Sequence, residues 1–439
     1  MSQRVYIVAA RRTPQGRLLG ALSSYSAADL AVHAGTAALS GVSPDIVDRV
    51  IVGNVLGAGQ KLNVARQVAL RLNLPVHVPA FTVNMACASG MLAVSLADQA
   101  IRLGEAGVVL CGGTESMSNA PYLLPKARRG YKLGDGVLID TALSDGLTDA
   151  LCGEHMGITA ERLAKEYGLG REAQDAFALR SQQRTARAMR GGVYADELVA
   201  VDKLDTDEHP RLDSTLDTLA SLKPAFNPAG TVTAGNSSGI NDGRGDAAFV
   251  AAAAAVEKHG LKPLAQIEAS TEIGCDPKRM GLGLVYAIRR LVRQAGCSID
   301  AFDTVELNEA FARRGACLHD RAEARARRRP RQPSRRPSHW ATPSALAAAR
   351  PVTHLAHQAP WALTGVHDSH GVRGRRMKQG GDCPPGRRVI ASCGMNCHHL
   401  CAAQLPTGYS SHHRCRAVSK KTGNRPARPR AELYGRSRV

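Results

Sequence analysis

The chain has 439 residues, enough for two or three ordinary domains, and 44% of them are hydrophobic, as in a globular core. It contains no apolar run of about 18 residues, which argues against a membrane-spanning helix, and its N-terminus lacks the order of a secretory signal. The 11 cysteines do not have the spacing of a small disulfide-linked domain, so we expect a cytoplasmic protein.

The net charge of +19 is unevenly distributed along the chain. Residues 313–439 contain 26 Lys and Arg but 5 Asp and Glu, whereas residues 1–312 contain 31 and 33. Both tryptophans and 10 of the 15 histidines also lie after residue 312. The sequence therefore consists of two compositionally different parts that join near Ala312.

The first part alternates predicted strands with predicted helices. Short apolar runs between turn signals predict strands at residues 5–10, 49–55, 80–83 and 106–112. Apolar residues at helical spacing predict helices at residues 26–39, 64–72 and 89–103, the first with Ser26 as its N-cap. This alternation indicates an α/β fold with a mostly buried sheet.

The next stretch is richer in loops. Residues 118–228 predict an inserted subdomain with helices at 156–167 and 171–190. A Gly/Asn/Ser-rich segment at 231–244 precedes an Ala-rich run, and we expect a buried helix at 246–259. The remaining predicted elements are a strand at 262–269, a helix at 282–295 and a strand at 304–307.

Residues 313–439 show no usable hydrophobic periodicity, and we expect little order there. The Arg/Pro run at 321–336 has no interleaved aromatic residues, so we expect no nucleic-acid partner. The Cys/His cluster at 393–401 matches the spacing of no common structural zinc site, so we expect no metal.

Cys87 lies between the predicted strand at 80–83 and the predicted helix at 89–103. The positive end of the helix dipole favours a thiolate, and the small flanking residues allow a substrate carbonyl to approach closely. Backbone N–H groups at such a turn can stabilise an oxyanion. A buried cysteine that packs as a small hydrophobe fits the same spacing, so the spacing leaves both interpretations open.

Five segments resemble, in order, the motifs of the thiolase family. They are VNMACASG at 83–90, CGGTESMS at 111–118, GEHMGITAE at 153–161, TVTAGNSSGINDG at 231–243 and VELNEAFA at 305–312. The related ketoacyl carrier-protein synthases share the fold but lack the third and fifth segments. The resemblance implies a layered α/β/α fold with an inserted loop domain and an incomplete C-terminal domain.

The same resemblance implies domain boundaries. The N-terminal domain covers residues 1–117 and 229–265, interrupted by the loop domain at 118–228. Residues 266–312 begin the C-terminal domain, and residues 313–439 form a basic tail of low order.

The resemblance also implies a mechanism, which is ping-pong acyl transfer through a thioester on Cys87. Asn308 matches the Asn that holds a water in the oxyanion hole. Glu309 is expected to anchor the loop of its motif, and Cys111 to lie in the core. The residues that match CoA-binding and acyl-pocket positions are Ser238, Gly239, His155 and Met156.

The family acts on CoA thioesters, so acetyl-CoA and a 3-ketoacyl-CoA are the implied substrates, with acetoacetyl-CoA first. This chemistry belongs to lipid and fatty acid metabolism, and the family requires no cofactor or metal. A homo-oligomer, either a dimer or a tetramer, is implied, with the strand at 106–112 as an edge strand and a dimer contact. No membrane partner is expected.

Two catalytic motifs of the family do not occur after Ala312, namely Gly-His-Pro or Gly-His-Ala and Cys-x-Gly. A shift of reading frame explains the loss, because the codons of Trp340 and Ala341, read two bases later, must encode Gly. The codons that follow are compatible with His and then Ala or Pro. Two alternatives to an active thiolase remain: an impaired remnant that binds CoA thioesters or oligomerises, and a basic RNA-binding fusion.

Overall fold

The computed structural model describes residues 3–297, 304–312, 350–358, 363–365 and 371–374. The strands in this part of the chain are β1 (Val5–Arg12), β2 (Gln15–Arg17), β3 (Arg49–Gly53), β4 (Ala80–Val83), β5 (Val108–Ser116), β6 (Tyr122–Leu123), β7 (Ile139–Asp140), β8 (Asn241–Ala252), β9 (Ala265–Ile267), β10 (Thr304–Leu307), β11 (Leu363–Gly365) and β12 (Gly371–Gly374). The helices are α1 (Ala27–Ala38), α2 (Val64–Arg71), α3 (Ser89–Arg102), α4 (Thr141–Ser144), α5 (Met156–Glu166), α6 (Arg171–Arg190), α7 (Leu216–Ala220), α8 (Ala253–His259), α9 (Gly283–Gln294) and α10 (Arg350–Gln358).

One mixed sheet forms the centre of the described structure. Its strand order is β10, β12, β11, β9, β1, β8, β5, β3, β4, and β2 also pairs with β8. Strand β3 is parallel to β4 and β5, whereas β8 is antiparallel to β1 and β5. Every residue of β5 is buried, as expected for a strand that is covered on both faces.

Helices α1 and α3 cover opposite faces of this sheet. Gly53 and Asp246 both lie opposite the same residue of β5, so they point to the same face. A Cβ on Gly53 would lie 2.3 Å from the carbonyl carbon of Ser89 in α3. A Cβ on Gly245, which points to the other face, would lie 2.0 Å from the carbonyl oxygen of Leu30 in α1. The absent side chains therefore permit close packing of both helices.

Most of the predicted elements are confirmed with bounds that differ by a few residues. The helix at 171–190 and the strands at 80–83 and 304–307 have the predicted bounds. Ser26 is the N-cap of α1 and forms a capping box with Asp29, because each side chain accepts a hydrogen bond from the other backbone N–H.

The buried helix predicted at residues 246–259 is wrong for its first half. Strand β8 extends to Ala252, and only α8 (Ala253–His259) is helical. Alanine favours helices in isolation, but β8 lies between two strands with α1 packed closely on it, which requires small side chains. An apolar run of this length does not by itself distinguish a buried strand from a buried helix.

The prediction of an edge strand at 106–112 is also wrong. The corresponding strand β5 lies in the interior of the sheet, with β3 on one side and β8 on the other. The strand at this end of the sheet is β4. The dimer contact inferred for β5 as an edge strand therefore has no basis in this topology, because both sides of its backbone are paired.

Helix α10 was not anticipated from the sequence of residues 313–439. It packs on β1, and its apolar residues Val352, Leu355 and Ala356 are buried in the main core. His354 Nδ1 donates to Glu197 Oε2 over 2.7 Å. The Arg/Pro run at 321–336, the frame-shift segment near residue 340 and the Cys/His cluster at 393–401 lie outside the described residues.

Candidate active site

The turn that carries Cys87 connects β4 to α3. Ala86 has φ +47°, an unusual conformation for a residue with a side chain. Its N–H donates to Asn84 Oδ1 over 3.0 Å. Ser89 Oγ accepts from the N–H of Met85 over 2.8 Å and donates to the carbonyl of Ala86 over 2.6 Å. These bonds hold a strained turn that presents Cys87 just before the first turn of α3.

The surroundings of Cys87 are apolar, and the residue itself is 9% exposed. Three buried side chains from separate parts of the chain form a cluster with it: Leu56, Met117 and Ala142. The half-buried residues Val55, Ala120, Leu147 and Ile240 complete this cluster. The thiol therefore lies where the turn after β3, the end of β5, residues 120–147 and the segment before β8 meet.

Cys111 provides a contrast with Cys87. It is 1% exposed in the middle of β5, and its Sγ contacts the carbonyl of Ala248 over 3.6 Å. Burial raises the pKa of this thiol far above its ordinary value, so it does not form a thiolate at neutral pH. The prediction that Cys111 belongs to the core is confirmed.

The segment with Ser238 and the segment with Asn308 lie side by side. The N–H of Ser238 donates to the carbonyl of Ala310 over 2.9 Å, and the N–H of Ala312 donates to the carbonyl of Asn236 over 2.9 Å. Asn308 is buried, and Ser238 is half-buried. The structure thus brings the predicted CoA-contacting loop and the Asn-Glu-Ala-Phe segment together through backbone hydrogen bonds.

Gly239 in the same loop packs against an imidazole ring. A Cβ at this position would lie 2.1 Å from Cε1 of His209. A side chain at residue 239 would therefore require the His209 ring to move.

Carboxylates of α5 and α6 hold the loop that contains Ser238. Glu161 Oε1 accepts from the N–H groups of Thr231 and Val232 over 2.8 and 2.7 Å. Asn236 Nδ2 donates to Asp175 Oδ1 over 2.9 Å. The position of the loop is therefore fixed by α5 and α6, which lie far from it in sequence.

His155 is the N-cap of α5, and its Nδ1 accepts from the N–H of Gly157 over 3.0 Å. Because Nδ1 accepts in this geometry, the neutral ring has its hydrogen on Nε2. Burial lowers the pKa of His155, which favours this neutral form. The ring stacks on Phe226 with centroids 4.6 Å apart, and Phe226 meets Phe311 edge-on at 6.2 Å.

Met156 belongs to the same apolar group as Phe226 and Phe311. Its N–H donates to the carbonyl of Leu147 over 2.9 Å, and Leu147 packs in the Cys87 cluster. Through these contacts the structure connects the predicted acyl-pocket residues His155 and Met156 with both the Asn-Glu-Ala-Phe segment and the surroundings of Cys87.

Two buried carboxyl groups, Glu309 and Glu115, lie close to the site. The sequence predicts no contact with substrate for either of them. Burial raises the pKa of Glu309 to about 7 despite its hydrogen bond with Ser181 of α6. Burial likewise raises the pKa of Glu115 to about 7, although Asn54 and the backbone around it donate hydrogen bonds. Glu309 was expected to anchor its loop, and its contact with α6 is consistent with that role.

Sequence reasoning missed Phe226, Leu56 and Glu115. Phe226 lies in a loop between two prolines without any periodic signal, and Leu56 directly follows the predicted strand at 49–55 without a signal of its own. Glu115 had a usable signal, because it lies three residues after the predicted apolar strand at 106–112, and carboxylates are uncommon in a protein core.

No helix among the described residues combines the length and hydropathy needed to cross a membrane. The described residues also contain no group of three or more His, Cys, Asp or Glu side chains placed to hold a metal ion.

Two family models match the chain. The thiolase N-terminal domain matches residues 5–254, and the thiolase C-terminal domain matches residues 261–326. The second match continues past Ala312, so the similarity extends further than the motifs had indicated.

The regions matched by similar proteins span most of this chain. An acetyl-CoA acetyltransferase of Chromobacterium violaceum is 48% identical over 319 residues, which are 70% of this chain and 81% of that protein. An acetyl-CoA acetyltransferase of Escherichia coli is 47% identical over 317 residues, 70% of this chain and 80% of that protein.

Solved structures give the same result. Human mitochondrial 3-ketoacyl-CoA thiolase is 40% identical with a TM-score of 0.75, covering 81% of this chain and 92% of that chain, and the same protein has also been solved in complex with CoA. The acetyl-CoA acetyltransferase of Syntrophomonas wolfei is 38% identical with a TM-score of 0.75, covering 82% of this chain and 93% of that chain.

Proposed function

Because the chain belongs to the thiolase family, we propose that it transfers acyl groups between CoA thioesters through a thioester on Cys87. The observation that supports this proposal most strongly is the turn before α3. It is held in a strained conformation and places a thiol at a helix N-terminus within an apolar cluster. A cysteine retained only for packing needs no such turn, as Cys111 in the middle of β5 illustrates.

In the first half-reaction, the Cys87 thiolate attacks the thioester carbon of acetyl-CoA. A new C–S bond forms, the C–S bond to CoA breaks, and CoA leaves as a thiolate that takes up a proton. With acetoacetyl-CoA, the thiolate attacks the 3-keto carbon instead. The C2–C3 bond then breaks, and the acetyl-CoA enolate takes up a proton at C2. Both routes leave the same acetyl group on Cys87.

The other predicted residues have supporting roles in this proposal. Ser238 and Gly239 contact the pantetheine arm of CoA, while His155 and Met156 line the acyl pocket. Asn308 holds the water that donates a hydrogen bond to the oxyanion. Donors to the oxyanion have large effects on the rate of acyl transfer. The short separation between the Ser238 and Asn308 segments supports a single site for both functions.

Acylation of the full chain tests the proposal directly. We expect incubation with acetyl-CoA to add one acetyl group to the peptide that contains Cys87 and none to the peptide that contains Cys111, as measured by mass spectrometry. Hydroxylamine should remove the group, because it is a thioester. Acetylation of lysines alone, or of Cys111, would contradict the proposal.

A catalytically impaired thiolase is the second candidate, and the sequence after Ala312 favours it. The Gly-His-Ala or Gly-His-Pro and Cys-x-Gly motifs are absent there, so the activating His and the second acid/base Cys have no match. Thiolysis of acetoacetyl-CoA separates the candidates: an active thiolase turns over, whereas the impaired form binds the CoA thioester with very low turnover. Sequencing codons 309–345 in the gene and its transcript decides whether a frame shift is the cause.

The remaining parts of the proposal follow from the family. The chain acts on CoA thioesters as substrates without a prosthetic group, in cytoplasmic fatty acid metabolism, as a homo-oligomer. Sedimentation of the purified chain with and without acetyl-CoA tests the oligomeric part, and a monomer under both conditions would contradict it.

A further inference from the structure

A buried carboxylate lies behind the wall of the Cys87 cluster. Glu115, at the end of β5, is 3% exposed, and its side chain reaches the turn that follows β3. Its Oε1 accepts from Asn54 Nδ2 over 2.9 Å and from the N–H of Leu56 over 3.2 Å. Its Oε2 accepts from the N–H of Val55 over 3.0 Å. One carboxylate therefore fixes three consecutive residues.

The same three residues are connected to the turn that presents the thiol. The carbonyl of Val55 accepts from Asn84 Nδ2 over 3.2 Å, and Asn84 Oδ1 accepts from the N–H of Ala86 over 3.0 Å. The two ends of one side-chain amide are thus both occupied, which orients it. Ala86, with φ +47°, directly precedes Cys87.

An apolar contact runs parallel to this polar connection. Leu56, whose N–H donates to Glu115, is buried in the same cluster as Cys87. The backbone position of Leu56 therefore sets where its side chain packs against the thiol of Cys87. The adjoining carbonyl of Val55 holds Asn84 and, through it, the turn before Cys87.

The donors around Glu115 explain why a carboxylate is buried at this place. Burial opposes its ionisation, but an apolar side chain of similar size would deprive the N–H groups of Val55 and Leu56 of this acceptor. The carboxylate differs from an apolar side chain in accepting three directional hydrogen bonds at once. We infer that Glu115 is a positioning residue for the proposed nucleophile, acting through Val55 and Asn84 on the turn that holds Cys87. This inference rests on the proposed function for its catalytic consequence.

Glu115→Gln tests the inference with little change in volume. Whichever way the amide lies, one oxygen that accepts from an N–H is replaced by an NH₂ group that cannot accept. At saturating acetyl-CoA we expect Cys87 acetylation to slow by about tenfold, because a misplaced reacting group raises the barrier, while the half-saturating concentration stays unchanged. Asn84→Ala, at an exposed position, should slow acetylation similarly.

Two controls separate positioning from general destabilisation. Asp98→Asn removes another buried carboxylate, from the far half of α3, and should leave Cys87 acetylation unchanged. The double variant Glu115→Gln with Asn84→Ala should slow acetylation by about tenfold rather than a hundredfold, because both changes interrupt one pathway.

A second measurement does not depend on acyl transfer. It tests the positioning of Cys87 separately from the proposed function. The rate of iodoacetamide alkylation is measured at Cys87 and, in the same sample, at Cys152 of the loop domain. We expect a fall of about tenfold at Cys87 and no change at Cys152 in Glu115→Gln and in Asn84→Ala.

Any other pattern of alkylation, including equal changes at both cysteines, would overturn the inference. If Glu115→Gln does not fold, Glu115→Asp, which keeps the charge but shortens the side chain, takes its place and should give the same pattern. If the parent protein is never acetylated but alkylation follows the expected pattern, the proposed function fails while the positioning of Cys87 stands.

Discussion

The two ends of the sheet are built in different ways. At one end, β5, β3 and β4 pair in parallel over four or five residues, and α3 packs on them with Cys87 at its start. At the other end, β11 and β12 are three and four residues long, and β11 meets β9 through a single pair, Leu363 with Ile267.

The source of order also differs between these ends. The Cys87 end depends on buried backbone pairing and on hydrogen bonds that converge on one turn. The other end is joined to the core through the side chains of α10, including His354 with Glu197. Changes at the first end should therefore alter the rate of acyl transfer, and changes at the second should alter the free energy of unfolding. Restoring the missing catalytic motifs at the second end is the exception, because it should alter the rate.

Restoring those motifs should have the largest effect. When the DNA after codon 312 is translated two bases later, we expect thiolysis of acetoacetyl-CoA to rise by about 10²–10⁴-fold for each acid/base group regained. The assay measures CoA-dependent loss of acetoacetyl-CoA. The same replacement combined with Cys87→Ala should remain inactive. An unchanged rate in the restored protein would show that the second end is not what limits turnover.

Removal of the thiol should have the next largest effect. Cys87→Ala should lower incorporation of labelled acetyl groups from acetyl-CoA by at least about 10³-fold, because the acyl acceptor is lost. Cys111→Ala is the matched control and should retain incorporation per folded molecule, since this thiol lies within the core. Equal loss in both variants would place the acyl acceptor elsewhere.

A change at Glu309 should alter the pH dependence of stability. Burial raises its pKa to about 7 from 4.5, so the folded state binds this proton more tightly than the unfolded state. The contribution of Glu309 to the free energy of unfolding is therefore full below about pH 4.5 and is lost as the pH rises through 7. The difference between these limits is roughly 3 kcal/mol. Glu309→Gln should flatten the urea-unfolding free energy between pH 5 and 8 by about this amount.

The matched control for that measurement is Glu257→Gln, which changes an exposed carboxylate of α8. It should leave the pH dependence of the unfolding free energy as it is in the parent protein. A Glu309→Gln protein with the parent's pH dependence would show that the Glu309 carboxyl titrates normally in the folded state.

The smallest effect is expected from α10. His354→Ala removes the hydrogen bond to Glu197, which keeps its bond with Arg12, so the free energy of unfolding should fall by about 1–3 kcal/mol. Urea denaturation measures this, with His77→Ala, at an exposed position, as the control. Acetylation of Cys87 should not change. Slower acetylation would mean that the two ends are coupled.

Much of the first 312 residues could be predicted from the sequence. The strand–turn–helix around Cys87 has clear local signals, namely a short apolar run, small residues and helical periodicity, and the structure has these elements at nearly the predicted bounds. The capping box of α1 is equally local. The positions of β8 and β5 could not be predicted, because alanine and valine runs report burial without stating which neighbours cause it.

The sequence by itself determined the family, the identity of the proposed nucleophile and the order of most helices and strands, because these depend on residue types at short spacing. Tertiary structure alone decided that β5 is interior, that the Ser238 and Asn308 segments run side by side, and that Glu115 reaches the turn before Cys87. Each of these depends on contacts between residues far apart in the chain, which local propensity and periodicity do not encode. The packing of α10 belongs to the same class, since its few apolar residues acquire meaning only against β1.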